Sequence, residues 1–263
     1  MHYGDLTRYM PESRLNEVVH ISPRYGYAYV SNAKAACSTI KLYLSRAEHG
    51  DATFSPGNVH RRERLPLLRP CDVSADLRAD ILAGRVFVFS FVRHPVERLL
   101  SAYADKIQGG KPEKREILQA LGRPARPLRQ PVTLRAFVEA VLSTPPRHLN
   151  AHWRPQVYNL LWGKLPYSFV GKVEALQPDL AEVRGRLGLP DYDLECRNVK
   201  AAAAPGIGDL EPDLLDGLLR LYAWDFRAFG YRPSGLRARA VVFRASRGPL
   251  WSRRQWSRPV NRE

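Results

Sequence analysis

Apolar residues along the chain fall into two periodicities. Arg85–Val92 (RVFVFSFV) is an almost unbroken apolar run of strand length, and a strand apolar on both faces belongs inside a parallel sheet. Tyr25–Ser31 (YGYAYVS) and Tyr167–Val173 (YSFVGKV), rich in aromatic and β-branched residues, predict two more strands. Between them the spacing turns helical: 40–50 ending at Gly50, 74–83 with Ser74 as N-cap, a helix opened by Pro95 with Leu99, Leu100 and Tyr103 on one face, 133–143 capped by Thr133, then 176–187 and 211–227. Twice a strand leads through a tight loop into a helix. That alternation predicts an α/β fold, a mainly parallel sheet flanked by helices. Residues 1–20 read as a polar lead-in, and the basic, proline-rich stretch 109–131 as a mobile surface insertion.

Composition narrows the function classes. With 263 residues, 44% hydrophobic and 25% charged, the chain is an ordinary globular protein, which excludes wholesale disorder and collagen-like repeats. Three cysteines with no CxxC pair exclude a disulfide scaffold and a zinc ribbon. The start lacks an apolar segment behind a basic one, and no apolar run is long enough to span a bilayer, so a soluble, cytoplasmic protein is expected, with peripheral contact to a membrane surface as the variant.

Charge adds the first functional clue. Lys and Arg number 41 against 26 Asp and Glu, a formal net charge of +15, and 33 of the 41 are arginine. Arginine presents a planar fork suited to phosphate and sulfate oxygens, so an anionic ligand is expected. From Arg232 onward the chain holds nine arginines, two tryptophans and one acidic residue, Glu263. The division expected is a single domain over 1–231 and a basic extension over 232–263, either a solvated tail or a contact for an anionic surface.

Two motifs carry chemistry. The first, Asn32-Ala33-Lys34-Ala35-Ala36-Cys37-Ser38-Thr39-Ile40-Lys41, lies between a strand and a helix, where loop amides and the helix dipole hold an anion. Ser38 and Thr39 add hydroxyls and Lys34 a charge; small residues let the backbone come close. Neither glycine of a Walker A loop is present. The second, Arg93-His94-Pro95-Val96-Glu97-Arg98-Leu99-Leu100-Ser101-Ala102-Tyr103, begins where the central strand ends, the place where open α/β sheets bind ligands. Arg93 and Ser101 can clamp a second phosphate; a salt bridge from Arg93 to Glu97 is the competing reading.

In this order the motifs resemble the two nucleotide boxes of the Golgi-type carbohydrate sulfotransferases and their bacterial relatives, whose first box reads like PK-A-GCTS-x-K and second like R-x-P-x-ER-LLSAY. Further matches are His152-Trp153-Arg154-Pro155-Gln156, Tyr167–Leu176 and the closing Leu221–Tyr231 (LYAWDFRAFGY), so the resemblance spans roughly 20–231. Ala33 and Ala36 stand where that family often has Pro and Gly. The resemblance implies a P-loop-like sulfotransferase fold and transfer of a sulfuryl group from 3′-phosphoadenylyl sulfate (PAPS) to a carbohydrate hydroxyl, without a metal. It implies that Lys34, Ala35, Ala36, Cys37, Ser38 and Thr39 hold the 5′-phosphosulfate, with Lys34 also catalytic, and that Arg93 and Ser101 hold the 3′-phosphate. Asn198 and Lys200 are further candidates to close over the nucleotide.

An acceptor hydroxyl needs a base, and histidine is tuned for it. His60, in the basic loop between the boxes, ranks first, His152 second and His94 third; Glu174 reads as a structural hydrogen-bonding residue and Cys37 as a packing residue. Two other readings stay open: a nucleotide kinase on a P-loop-like fold, and a non-catalytic polyanion binder on a degenerate sulfotransferase fold. The expected partner is a glycan or other hydroxyl acceptor, not a specific nucleic acid.

Overall fold

A computed structural model of the chain describes residues 3–195 and 204–232. In chain order it comprises helices α1 (Tyr3–Leu6) and α2 (Glu12–Val18), strands β1 (Val19–Ser22) and β2 (Tyr27–Val30), helices α3 (Cys37–His49) and α4 (Ala75–Leu82), strand β3 (Phe87–Val92), and helices α5 (Pro95–Ala102), α6 (Lys114–Ala120), α7 (Leu134–Ser143) and α8 (Gln156–Asn159). Strand β4 (Phe169–Lys172) and helices α9 (Leu176–Leu187), α10 (Pro212–Leu221) and α11 (Ala223–Ala228) complete it. A π-helical turn, Tyr103–Gln108, prolongs α5.

The strands form one sheet in the order β1-β2-β3-β4. β2, β3 and β4 run parallel, and β1 pairs antiparallel with β2 at one edge. Alternation along the strands divides the core. Tyr27, Tyr29, Phe89 and Phe91 face α3 and α9, packing with Ile40, Leu44, Leu180 and Val183. Ala28, Val30, Val88 and Val92 face the other way, onto Leu6, Leu15, Val157 and Leu160. A third, mostly helical cluster joins α5, α6, α7 and α10 through Leu99, Leu118, Phe137, Val141 and Leu218 around the buried Trp153.

The central strands and the caps follow the sequence signals: Ser74 accepts from the Leu77 amide and Thr133 from the Ala136 amide, each at 3.2 Å. Two expectations are corrected. The lead-in 1–20 holds two helices and the start of the edge strand, with Leu6, Met10, Leu15 and Val18 buried; these few apolar residues join the core on one face of the sheet once β1 pairs with β2. The insertion 109–131 contains α6, whose Ile117 and Leu118 are buried in the third cluster. Two adjacent apolar residues in a basic stretch suffice to seat a short helix on an existing core. Asn198, Lys200 and the extension from 233 onward lie outside the described residues.

Candidate active site

A cleft of about 890 Å³ opens at the C-terminal ends of β2 and β3. Lys34, Ala36, Cys37, Ser38 and Thr39 line it together with Arg93, Ser101, His60 and His152, so residues of both boxes and both leading histidines meet in one place. Ala35, in the same loop, is fully buried and does not line the cleft. His94 caps α5, its Nδ1 accepting from the Glu97 amide, and packs edge-on against Phe226 and Tyr231. Glu174 accepts from the His94 amide at 2.6 Å and the Tyr231 hydroxyl at 2.8 Å, the hydrogen-bonding part expected of it.

The first box has an unusual backbone. Lys34 and Ala36 both adopt left-handed conformations, with φ of 64° and 54°. Such a conformation costs a non-glycine residue roughly 1–2 kcal/mol, and strain of this kind gathers where loops hold ligands. It brings the chain into the N-terminus of α3, where no side chain at the N-cap accepts from the first turn. The amides and dipole of that helix end therefore face the cleft. Ser38, a candidate cap by sequence, turns to His60: Ser38 Oγ lies 3.0 Å from His60 Nε2.

Lys41 completes this corner. It is 5% exposed, lines the cleft, and its Nζ lies 3.2 Å from His60 Nδ1. An ammonium can only donate, so Nδ1 accepts and Nε2–H donates to Ser38. Burial, then the charges of Lys41 and Lys106, push the His60 imidazole down to about 4. Burial likewise pulls the Lys41 ammonium below its ordinary value.

His152 is held differently. Its ring Nδ1 lies 2.7 Å from Asn150 Oδ1, and the Asn150 amide is oriented by donating to Glu116 at 2.7 Å. Nδ1 thus carries the hydrogen and Nε2 the lone pair. Burial, then the Lys106 charge, push the imidazole down to about 3. Lys34 Nζ donates to Asp105 Oδ2 at 2.9 Å. Burial raises the Asp105 carboxyl, but the hydrogen bond and charge of Lys34, with Lys106 adding, outweigh it and hold the group below its ordinary value. Asp105 and Lys106 come from the π-helical turn and line the cleft. By sequence both fall only within 105–131, a segment expected to help form the acceptor loops, and neither side chain is singled out; the SAYADK continuation of the second box is the available signal.

Four of the five matching segments converge beneath the cleft. Asn32 donates to Phe91 O at 3.2 Å and to Gln156 Oε1 at 2.9 Å. Gln156 Oε1 also accepts from the Arg93 amide at 3.0 Å, and Gln156 Nε2 donates to Arg93 O at 2.8 Å. Arg98, fully buried, donates to Ala33 O at 2.8 Å and Arg154 O at 2.9 Å. Asp225, also buried, accepts from the amides of Gln156 at 2.8 Å and Val157 at 2.9 Å. One polar network therefore fixes both boxes against each other. Arg93 emerges from it with a side chain 13% exposed and Nη2 at 3.4 Å from Glu97 Oε2, so it faces the cleft and makes the expected salt bridge as well.

Comparison with known proteins follows the same residues. Carbohydrate sulfotransferase 14 of Mus musculus is 33% identical over 177 residues, 62% of this chain and 44% of that protein. The Danio rerio protein of that name is 28% identical over 187 residues, covering 66% and 49%. Carbohydrate sulfotransferase 11 of Rattus norvegicus is 29% identical over 231 residues, covering 78% and 64%. The chain spans about half the length of the curated relatives it matches. These relatives overturn the cytoplasmic expectation: they are named carbohydrate sulfotransferases, and it is the Golgi-type carbohydrate sulfotransferases that the two boxes resemble. That expectation leaned on the first residues of a chain matching only part of its relatives. Among the described residues no helix is long and apolar enough to cross a membrane. The family model described as "Sulfotransferase family" matches residues 19–232, from β1 to the last described residue, and with both boxes on one cleft the chain belongs to that family.

Proposed function

We propose that the protein transfers a sulfuryl group from PAPS to a hydroxyl of a carbohydrate. The observation that carries this reading is the single cleft joining the strained loop at the α3 N-terminus, with Lys34 and Lys41, to Arg93 at the end of β3 and Ser101 on α5. Two anion-binding corners on one cleft fit a nucleotide phosphorylated at both its 5′ and 3′ positions, and the 3′-phosphate is what separates PAPS from ATP. The donor supplies an activated sulfuryl group. The loop amides, Ser38, Thr39 and Lys41 would hold its 5′ end, and Lys34 would stabilise the charge that grows on the leaving phosphate. Arg93 and Ser101 would hold the 3′-phosphate.

The geometry supports His152 over His60 as the base. His60 has both ring nitrogens engaged, with Lys41 and Ser38, so its part is to support the phosphate loop. His152 keeps the Nε2 lone pair and lines the cleft, and its depressed pKa leaves it neutral at pH 7. The acceptor class rests on the names of the relatives, which are carbohydrate sulfotransferases.

The test is a thermal-shift titration. Adenosine 3′,5′-bisphosphate is expected to raise the unfolding midpoint without Mg²⁺, and ATP far less. The reverse order would replace this reading with the kinase one. Heparin binding with no nucleotide response would replace it with the polyanion binder.

A further inference from the structure

Behind His152 lies a chain of alternating charges that the cofactor reading leaves unused. Lys106 Nζ lies 3.6 Å from Asp105 Oδ2 and 2.9 Å from Glu113 Oε1. The same Glu113 oxygen lies 3.8 Å from His152 Nε2. The other, Oε2, is buried and has no hydrogen-bond partner among the other described residues. Lys106 and His152 line the cleft, whereas Glu113 does not.

The contact between Glu113 and His152 is odd for a resting structure. With Nδ1–H committed to Asn150, Nε2 carries a lone pair and lies 3.8 Å from a carboxylate oxygen, so two acceptors come close with no hydrogen bond between them. A structural ion pair needs only Lys106, which already holds the carboxylate in its charged form against burial. The His152 contact becomes attractive when a proton reaches Nε2, and that is the state the imidazole enters as it deprotonates an acceptor. Interactions stronger after the proton moves than before are those that lower a barrier.

We propose that Glu113 is a positioning residue for the transfer step, its carboxylate stabilising the His152 imidazolium formed when Nε2 takes the acceptor proton. The inference rests on His152 as the base. In the step, the acceptor O–H bond breaks, an N–H bond forms at Nε2, and the acceptor oxygen bonds to sulfur as the bond to the leaving phosphate breaks. Glu113 takes no proton and keeps its charge. Lys106 shares the carboxylate with His152 and keeps it ionised throughout.

The experiment compares Glu113→Gln, Glu113→Asp and His152→Ala, alone and with Glu113→Gln added to His152→Ala. Transfer from radiolabelled PAPS to a mixed glycan pool is measured together with KM for PAPS and the unfolding midpoint. Glu113→Gln is expected to lower turnover by about ten- to a hundredfold, the size that partners of a functional side chain carry, with KM for PAPS and the midpoint unchanged. Glu113→Asp, which keeps the charge, retains more turnover than Gln. In the His152→Ala background the Gln substitution has no further effect. An equal loss in both backgrounds, or a loss that follows the midpoint, makes Glu113 structural and overturns the inference. So does full turnover in Glu113→Gln when His152→Ala is inactive. Near-normal turnover in His152→Ala defeats the base assignment instead, and no transfer by the unaltered chain to any glycan defeats the proposed function.

Discussion

At the scale of single residues, hydrogen-bond chemistry separates side chains that sequence position cannot. His60 and His152 both line the cleft and both are pushed to low pKa by burial first. The partner at Nδ1 divides them: a donor, Lys41, at His60 and an acceptor, Asn150, at His152. Arg93 is separable too. Its backbone is locked by Gln156, so the position survives loss of the side chain. Arg93→Ala is therefore expected to weaken adenosine 3′,5′-bisphosphate binding by roughly 2–4 kcal/mol, the scale of a charge-assisted hydrogen bond in a partly desolvated site. AMP, which lacks the 3′-phosphate, should bind almost as before in calorimetric titration. An equal loss for both nucleotides would mean that the salt bridge to Glu97 is the residue's whole purpose.

At the scale of elements, the site depends on how closely β3 and β4 lie. Phe91 stands one residue before the end of β3, and Gly171 sits opposite it in the register. A Cβ at Gly171 would fall 2.4 Å from Phe91 Cε1. Gly171→Ala must push the Phe91 ring aside, and overpacking of this kind costs roughly 1–3 kcal/mol. Urea denaturation should show that loss, with weaker bisphosphate binding because Arg93 is carried two residues beyond Phe91. Unchanged stability would show that the strands part without strain. The π-helical turn after α5 is the other decisive element. It presents Asp105 and Lys106 to the cleft from consecutive positions, and such turns are frequent at functional sites.

At the scale of the whole molecule, burial of histidine shapes the response to pH. His20, His60, His94 and His152 are all pushed below 6.5, by burial first in each case. A histidine whose folded pKa is depressed binds a proton on unfolding at acid pH. Its contribution is whole above 6.5 and is lost as pH falls below that value. Asp225 acts in the opposite sense: burial pushes its carboxyl up to about 6, so its contribution fades as pH rises from 3.8 toward 6. Four histidines outweigh one aspartate, and the unfolding midpoint should drop as pH is lowered from 7.5 to 5. His20 is the cleanest probe, 1% exposed with no hydrogen-bond partner at either ring nitrogen among the described residues. His20→Phe should reduce proton uptake on unfolding at pH 5.5 by about one. An unchanged slope of midpoint against pH would show that His20 is not held neutral.

Local signals in the sequence determined much of this protein. The apolar run of β3 marked the centre of the sheet, Ser74 and Thr133 marked helix starts, and the two boxes marked two sides of the cleft, because periodicity, capping and loop composition act over a few neighbouring residues. Tertiary structure alone decided what depends on distant partners. The edge strand β1 and helix α6 exist because a core built elsewhere accepts their few apolar side chains. Asn32 meets Gln156 across 124 residues, a pairing that no spacing rule contains. The partners that distinguish His60 from His152, and the gathering of Asp105 and Lys106 on the cleft wall with Glu113 beside them, were equally beyond the sequence. A side chain's proton affinity and tautomer are set by the groups that folding places around it, and those groups come from separate elements.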